Sequence, residues 1–398
     1  MKKMYWHRKF ISRYIIIFLT AFMLTSLYVV EDNLVIETKG YSQKMQAAEL
    51  TNDAFHITQR LFMSKGYLCK KIGDVSCTGL IGLSMTEITT DSGDLYAKRT
   101  SVNPNIAAIF VEWLNKLNLK EGDTVAFQST GSYPALNIAM LAAIKTLKLK
   151  PLIIFSVGSS QFGANRPKFT WPDIYHNLVE KGIFDYDVLG ITLGGSHDNG
   201  YGMTPGAILK LNDAIKRNNY KVINIPYKHA TSVSVNTRMK MYKEAAGKND
   251  IKAYINIGGN MASIGLKNPQ IKSSNKNTTE GEQDTNNKKS PNIIKLRSFP
   301  IGVTTSIPPE YKEVHSVAVN FLKEGVPVVN VRDINANIVE KYGLEYNPSK
   351  LESPGHGYIF AKKKYNTTLA AILLIIDIIL VIFMAIIARK YLISFKTK

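Results

Sequence analysis

The sequence predicts an α/β protein with an open, mostly parallel, Rossmann-like sheet that carries helices on both faces and is flanked by an N-terminal and a C-terminal transmembrane helix. Two observations support this fold class. Short apolar strands alternate with amphipathic helices through the middle of the chain, and a long apolar run lies near each end. The chain has 398 residues, of which 45% are hydrophobic, enough for one large domain or two modest ones.

The first apolar run, residues 14–30, reads "YIIIFLTAFMLTSLYVV" and contains no charge. It is at the short end of the length that crosses a bilayer. A cleaved signal peptide is the alternative, but no small-x-small cleavage site follows the run. We therefore expect an uncleaved anchor. The preceding head, residues 1–13, contains Lys2, Lys3, Arg8, Lys9 and Arg13, which predicts a cytoplasmic amino terminus.

The second apolar run, residues 369–388, is followed by the basic tail, residues 389–398, which indicates a return to the cytoplasm. Residues of about 31–365 are then expected outside a cell membrane, although Lys362–Lys364 weaken the charge asymmetry. Asp377 lies in the middle of this run, where an acid costs roughly 2.5–3.5 kcal/mol on insertion scales. Either it contacts a polar group on a partner helix, or the surrounding apolar residues tolerate it.

The segment after the first run, residues 31–78, is predicted to be a helical stalk, with a helix over 42–63. Cys69 and Cys77 in this segment are close enough in sequence to form a disulfide, and two free thiols fit the sequence equally well. A long loop follows from residue 79. It ends where Asn103 can cap a helix whose first turn contains Pro104.

The external α/β domain is predicted over 79–365. Its strands are expected at 124–128, 151–157, 186–193, 221–225, 252–257 and 326–331, with 357–360 as a further candidate. Helices are expected at 134–147, 171–181, 204–218, 232–246, 309–324 and 333–342. This alternation is typical of β-α-β units with right-handed crossovers. Residues 267–291 are almost free of apolar side chains, which predicts a mobile surface insertion.

Four loops rich in Gly, Ser and Asn follow predicted strands: "STGSYP" (129–134), "GSSQFGAN" (158–165), "GGSHDNGYG" (194–202) and "GGNMASIG" (258–265). The carboxyl ends of parallel strands form a crevice in which ligands bind, so these loops are expected to converge on one site. Turn chemistry alone is the simpler explanation of each loop. The predicted ligand-binding residues are Lys98, Ser129, Thr130, Ser132, Ser159, Ser160, Asn165, Ser196, Asp198, Asn260 and Ser263.

The same loops contain the residue types of a nucleophilic site, with Ser132, His197 and Asp198 as weak catalytic candidates. No G-x-S-x-G elbow is present, and His197 and Asp198 are adjacent, so their side chains diverge unless the loop bends. Neither GxGxxG nor GxxxxGK[ST] occurs, and no HExxH motif occurs, so no cofactor and no metal are expected. The net charge of +19 lies partly in the two ends, and no basic stripe interleaved with aromatic residues indicates nucleic-acid binding.

Several sequence blocks resemble the poly-gamma-glutamate system protein family, which is found with bacterial poly-γ-glutamate capsule genes. The blocks are "AKRTSVNPNIAAIFVEWL" (97–114), "GSYPALNIAMLAA" (131–143), "GANRPKFTWPDI" (163–174), "LGGSHDNGYGM" (193–203) and "AYINIGGNMASIG" (253–265). The resemblance implies a membrane-attached component of the machinery that makes, exports or handles poly-γ-glutamate at the cell envelope. It supplies neither a reaction nor catalytic residues.

The leading hypothesis is therefore an accessory protein whose external domain binds glutamate, its oligomers or the polymer. Its expected partners are the membrane and the membrane-embedded synthase and export subunits. A second hypothesis is an amide hydrolase or transferase that trims or attaches the polymer. A third is a sugar-phosphate-binding domain that resembles the sugar isomerase type, because a Ser/Thr loop that opens a helix is its signature too.

Overall fold

The computed structural model describes residues 13–32, 35–68, 73–265, 299–363 and 365–394. The insertion predicted at 267–291 lies outside the described residues. Of the two cysteines, Cys69 is also outside them, and Cys77 is disulfide-bonded. The chain divides into two compact units. One comprises Met1–Tyr41 and Ile359–Lys398, and the other comprises Ser42–Tyr358.

The described residues form helices and strands along the whole chain. The helices are α1 (Arg13–Asp32), α2 (Tyr41–Ser64), α3 (Leu95–Ser101), α4 (Ile106–Asn115), α5 (Pro134–Thr146), α6 (Trp171–Glu180), α7 (Pro205–Lys216), α8 (Ala230–Ala246), α9 (Met261–Ile264), α10 (Val317–Lys323), α11 (Ala336–Val339) and α12 (Thr367–Ser394). The strands are β1 (Val35–Glu37), β2 (Thr89–Asp91), β3 (Thr124–Thr130), β4 (Lys150–Ser156), β5 (Ser159–Ser160), β6 (Asn165–Arg166), β7 (Phe169–Thr170), β8 (Val188–Thr192), β9 (Ile251–Ile257), β10 (Gly302–Thr304), β11 (Val328–Val331) and β12 (Ala361–Lys363). Short 3₁₀ turns occupy Pro309–Tyr311 and Glu340–Tyr342.

The first unit contains α1 and α12, both long and apolar enough to cross a membrane. Their mean hydropathies are 1.9 and 3.2 over the candidate spans Arg13–Asp32 and Thr367–Ile387. The two helices contact each other, and the Ser26 hydroxyl donates a hydrogen bond to Asp377 Oδ1 over 3.2 Å. Of the two interpretations of Asp377, the structure therefore favours contact with a polar group on a neighbouring helix. Strands β1 and β12 pair antiparallel in the same unit.

The second unit is built on a six-stranded sheet with the order β10-β11-β9-β3-β4-β8. Strands β11, β9, β3, β4 and β8 are parallel, and only the edge strand β10 is antiparallel to its neighbour. The predicted α/β class with a mostly parallel sheet is thereby confirmed. From β3 the chain moves outward to β4 and β8, and it then returns to place β9 on the other side of β3. The direction of winding therefore reverses between β3 and β9.

Helices pack against both faces of the sheet because successive strand side chains point to opposite sides. On one face, the ring of Phe155 lies 5.3 Å from the ring of Trp171 in α6. On the other, Ala126 and Ile154 belong to a buried cluster with Tyr242 of α8 and Phe321 of α10. Strand β3 is buried along its whole length, which explains why its sequence lacks the polar alternation of an exposed strand.

Several predicted elements differ from the observed ones. The candidate strand at 357–360 is a turn that precedes β12, and the helix expected at 333–342 is reduced to α11 and the 3₁₀ turn after it. The strand expected at 221–225 is only an isolated bridge between Ile191 and Val222. The helix expected at 309–324 begins only at Val317, where the Ser316 hydroxyl accepts a hydrogen bond from the backbone N–H of Val319. The loop expected after residue 79 contains β2, which pairs parallel with β5, and α3.

Candidate functional site

A cavity of about 850 Å³ lies at the carboxyl ends of the parallel strands in the second unit. All four predicted loops contribute to its wall, through Thr130 and Ser132, Gly158 and Ser160, Gly194 to Ser196, and Gly259 to Met261. The segment around β2 contributes Thr90 to Asp94 to the wall. The loop after β11 contributes Arg332, Asp333 and Asn335. The cavity therefore spans the point between β3 and β9 where the winding reverses.

Glycine at two positions lets the loops after β4 and β8 come together. A Cβ at Gly194 would lie 2.9 Å from the backbone nitrogen of Gly158, which is closer than real Cβ contacts allow. Gly194 also has a φ of 80°, a conformation that favours glycine. A Cβ at Gly158 would likewise lie 3.0 Å from the backbone nitrogen of Gly195, so Gly158 and Gly194 together set the close approach of the two loops.

Strand β2 and helix α3 bring carboxylates and a lysine to the cavity. In the β2–β5 pairing Asp91 lies opposite Ser160. Asp94 caps α3, because its Oδ1 accepts hydrogen bonds from the backbone N–H groups of Tyr96 at 2.7 Å and Ala97 at 3.3 Å. One turn further on, α3 presents Lys98.

Lys98 is buried beside the cavity wall, with an exposed fraction of 2%. Its Nζ lies 2.8 Å from Ser160 Oγ, also contacts the carbonyl oxygen of Ser132, and lies 3.5 Å from the centre of the Tyr133 ring. Burial lowers the pKa of Lys98 from 10.5 to about 7, although the nearby carboxylates of Asp333, Asp91 and Asp94 act in the opposite direction. This amine can change its charge near neutral pH.

Charged groups from the loop after β11 form another part of the wall. The Tyr133 hydroxyl donates a 2.6 Å hydrogen bond to Asp333 Oδ1, which also accepts one from the backbone N–H of Ile334 over 2.8 Å. Burial, followed by the charge of Asp333, raises the pKa of Tyr133, so this tyrosine stays a hydrogen-bond donor. The side chain of Arg332 lies against Gly259, where a Cβ would be 3.4 Å from its Nε.

A buried ion pair lies behind the cavity wall. Asp198 Oδ2 is 2.6 Å from Arg238 Nη2, and both side chains have an exposed fraction of 1% or less. Asp198 Oδ1 accepts hydrogen bonds from Thr192 at 2.6 Å and from the side-chain amide of Asn260 at 2.8 Å. Burial alone would raise the pKa of Asp198, but the Arg238 charge and the hydrogen bonds from the Ser234 and Thr192 hydroxyls hold it below its ordinary value. The pair thus remains charged and fixes Asn260, which lines the cavity.

The structure separates the predicted ligand-binding residues into two groups. Those on the cavity wall, or in direct contact with it, are Lys98, Thr130, Ser132, Ser160, Ser196 and Asn260. Those that do not line the cavity are Ser129, Ser159, Asn165, Asp198 and Ser263. The second group is buried. The side chains of Ser129, Ser159, Asn165 and Asp198 make hydrogen bonds within the protein, and the backbone N–H of Ser263 donates one to Asn260 Oδ1 over 3.3 Å.

Three residues of the second group hold neighbouring segments in place. The hydroxyl of Ser129 accepts a hydrogen bond from Trp171 Nε1 over 3.2 Å, and the hydroxyl of Ser159 donates to the carbonyl oxygen of Gly131 over 3.0 Å. The Asn165 amide bonds both backbone groups of Leu83, at 2.9 and 2.8 Å. These three side chains therefore use their polar atoms to hold neighbouring segments of the protein together.

The weak catalytic candidates do not form a nucleophile and base pair. His197 Nδ1 lies 3.1 Å from the Thr231 hydroxyl and its ring lies 5.0 Å from that of Tyr201, while the Asp198 carboxylate pairs with Arg238. Asp198 has a φ of 65°, and this bend turns its side chain inward. Ser132 lies on the cavity wall, where its hydroxyl accepts a hydrogen bond from the backbone N–H of Ser160 over 3.1 Å.

Sequence reasoning missed the four charged residues that line the cavity, Asp91, Asp94, Arg332 and Asp333, and also the neighbouring Tyr133. A signal existed for Asp94, which is a helix-capping residue type directly before the segment that forms α3. Arg332 and Asp333 directly follow the strand predicted at 326–331. Since the other loops were assigned to the crevice because they follow predicted strands, the same reasoning predicts that these two residues lie there. Asp91 had no signal, since it reaches the cavity through the β2–β5 pairing.

Among the described residues, no group of three or more His, Cys, Asp or Glu side chains is arranged to hold a metal ion. No protein-family model matches the chain, and no curated protein or solved structure matches it significantly.

Proposed function

We propose that this chain is a membrane-anchored accessory component of a bacterial poly-γ-glutamate synthesis or export system. In this proposal its external, Rossmann-like domain binds glutamate or the amino-terminal end of a γ-linked glutamate chain in the cavity. Membrane-embedded synthase and export subunits are the proposed partners.

The observation that carries the proposal is the charge composition of the cavity wall. Three carboxylates, those of Asp91, Asp94 and Asp333, share the wall with the guanidinium of Arg332 and several hydroxyl groups. A ligand with an ammonium group and a carboxylate complements such a wall, because each charge finds an opposite partner. An α-amino acid has both groups.

The same composition distinguishes the parts of the polymer. The only charged groups of internal residues in γ-linked polyglutamate are carboxylates, which the three aspartates would repel. The first residue also has a free α-amino group, and this ammonium can pair with the aspartates while its carboxylate pairs with Arg332. The proposal therefore narrows the expected ligand from the whole polymer to glutamate or the amino end of a chain.

The order of the parallel strands supports the Rossmann-like assignment. Counted along the chain, β3, β4, β8, β9 and β11 are strands 1 to 5, and their order across the sheet is 3-2-1-4-5. In sheets of this type ligands bind where the winding reverses, at the carboxyl ends of the strands. A sugar phosphate would meet the same three aspartates with a dianionic group, so the third hypothesis gains no support from the cavity.

The charges that flank α1 and α12 support the proposed membrane layout. The basic head before α1 and the basic tail at the end of α12 favour a cytoplasmic location for both termini. The cavity domain would then lie on the outer side. Protease added to intact cells should cleave the domain while an epitope fused to the carboxyl terminus remains protected, and digestion of that epitope would contradict the layout.

Calorimetry on the full chain in detergent tests the ligand. We expect γ-linked triglutamate to bind at low salt and the N-acetylated peptide, which lacks the ammonium charge, to bind at least about tenfold more weakly. Asp333→Asn and Arg332→Gln should each weaken binding of the free peptide by a similar factor. Asp250→Asn is the matched control, since the Asp250 side chain is 84% exposed and outside the cavity. Equal binding of the free and acetylated peptides would contradict the proposed recognition of the amino end.

A further inference from the structure

The buried amine of Lys98 contacts a residue of the cavity wall, because its Nζ lies 2.8 Å from Ser160 Oγ. We propose that these two residues form a catalytic dyad in which Ser160 is the nucleophile and Lys98 is its general base, acting on an amide or ester carbonyl in the cavity. This goes beyond binding and gives the domain a hydrolytic activity.

The hydrogen-bonding capacity of a neutral lysine fits the observed contacts. A neutral amine has two N–H donors and one lone pair. The carbonyl oxygen of Ser132 accepts from one N–H, and the lone pair can accept the hydroxyl proton of Ser160. A serine attacks a carbonyl only when a base removes its proton, and a lysine that is desolvated in a buried site can do so.

Ser160 is held in place from both sides. Its backbone N–H donates to the Ser132 hydroxyl over 3.1 Å, and Asp91 of β2 lies opposite it in the β2–β5 pairing. Ser160 nevertheless lines the cavity and keeps an exposed fraction of 8%. Restraint of this kind lowers the entropic cost of bringing a nucleophile to its substrate.

The charged and titratable groups around Lys98 set the pH range of the dyad. Burial is the largest influence and lowers the pKa of Lys98 to about 7, against the carboxylates of Asp333, Asp91 and Asp94. The Tyr133 ring lies on the remaining side, with its hydroxyl bonded to Asp333. Above about pH 7 most of the amine is neutral, which is the form that can act as a base.

The reaction proceeds in two balanced steps. Lys98 takes the proton of the Ser160 hydroxyl while Ser160 Oγ bonds to the carbonyl carbon, and the resulting ammonium then protonates the departing amine as the C–N bond breaks. Water attacks the acyl ester and gives a proton to Lys98, and that proton passes to Ser160 Oγ as the ester bond breaks. Water is the only co-reactant. That the natural substrate is a γ-glutamyl amide rests on the proposed function; the dyad itself does not.

An alkyl fluorophosphonate tests the dyad without requiring glutamate recognition, so its result is distinguishable from that of the calorimetry. The full chain in detergent is incubated with the probe between pH 5.5 and 9 and analysed by intact mass and peptide mapping. We expect one phosphonyl adduct on Ser160, formed at a rate that rises with pH to a plateau above about 7. Ser160→Ala should abolish this adduct, and Lys98→Met should slow it by about 100-fold or more.

Two further variants keep the test valid if Lys98→Met unfolds. Lys98→Arg retains a cation but supplies no base, so it should also lose the adduct. Ser160→Cys should react with iodoacetamide at residue 160 with a pH profile that still changes near 7. Ser263→Ala, which alters a buried serine away from the cavity wall, is the matched control and should be labelled like the wild type. A folded wild-type chain without an adduct, an adduct only at another serine, or an unchanged rate in a folded Lys98 variant would overturn the proposal.

Discussion

Replacing Asp198 with asparagine should destabilise the second unit strongly, because it leaves the Arg238 guanidinium buried without a counter-charge. Arg238 has an exposed fraction of 0% and Asp198 of 1%, and their closest atoms are 2.6 Å apart. Removing one partner of such a pair costs about 3–5 kcal/mol, since the remaining charge cannot be solvated. The same change removes an anchor of Asn260, so ligand binding in the cavity should weaken as well.

Chemical denaturation of the full chain in detergent measures this effect through the free energy of unfolding. Glu121→Gln provides the matched control. Glu121 forms an ion pair with Lys148 at 3.0 Å, but both side chains are more than 65% exposed, and such pairs contribute about 0–1 kcal/mol. If Asp198→Asn and Glu121→Gln have equal effects, the account of the buried pair is wrong.

Three further predictions concern other parts of the molecule. Because the pKa of Lys98 is about 7 in the folded chain and 10.5 when unfolded, the unfolded chain binds more protons between these values. The free energy of unfolding should therefore rise with pH across this window. Between pH 7 and 9 the rise should be roughly 2–3 kcal/mol larger in the wild type than in Lys98→Met. If the unfolding free energies of the two proteins change in parallel with pH, this prediction is wrong. Gly163→Ala should lower the free energy of unfolding in urea by about 1–3 kcal/mol and weaken ligand binding. The new Cβ would lie 2.6 and 2.7 Å from two carbonyl oxygens of the loop after β3. Gly206→Ala in α7 is the control and should be neutral or stabilising, because no atom lies within 4 Å of the new Cβ. If the two alanine variants lower the free energy of unfolding equally, the space around Gly163 is not tight. Cysteines introduced together at Ser26 and Asp377 should form a crosslink when the full chain in membranes is oxidised, and either cysteine alone should not. The crosslink is detected by mass under non-reducing conditions. If no crosslink forms, the pairing of α1 with α12 is wrong.

The fold was largely predictable because its strands and helices have strong local patterns. Strands β3 and β9 are short buried runs, and α5 begins with a proline in its first turn, which is a clear start signal. The failures occurred where local pattern is weak. The pairing of β2 with β5 joins residues about 70 positions apart through very short strands, so no periodicity marks it.

The candidate site was predictable in its location and only partly in its residues. Loops at strand ends indicated the crevice, and Thr130, Ser132, Ser160 and Asn260 do line it. Sequence cannot distinguish a polar side chain that faces a cavity from one that is bonded inside the protein. Ser159 and Ser160 illustrate this, because the first hydroxyl bonds the backbone of Gly131 and the second lies on the cavity wall.

The most direct test of the central claim is an experimental structure of the full chain with bound γ-linked triglutamate. We expect the peptide's amino end in the cavity, with its ammonium group within hydrogen-bonding distance of at least one of Asp91, Asp94 and Asp333 and a carboxylate beside Arg332. A peptide bound outside this cavity, or one that enters it by its carboxyl end, would contradict the account.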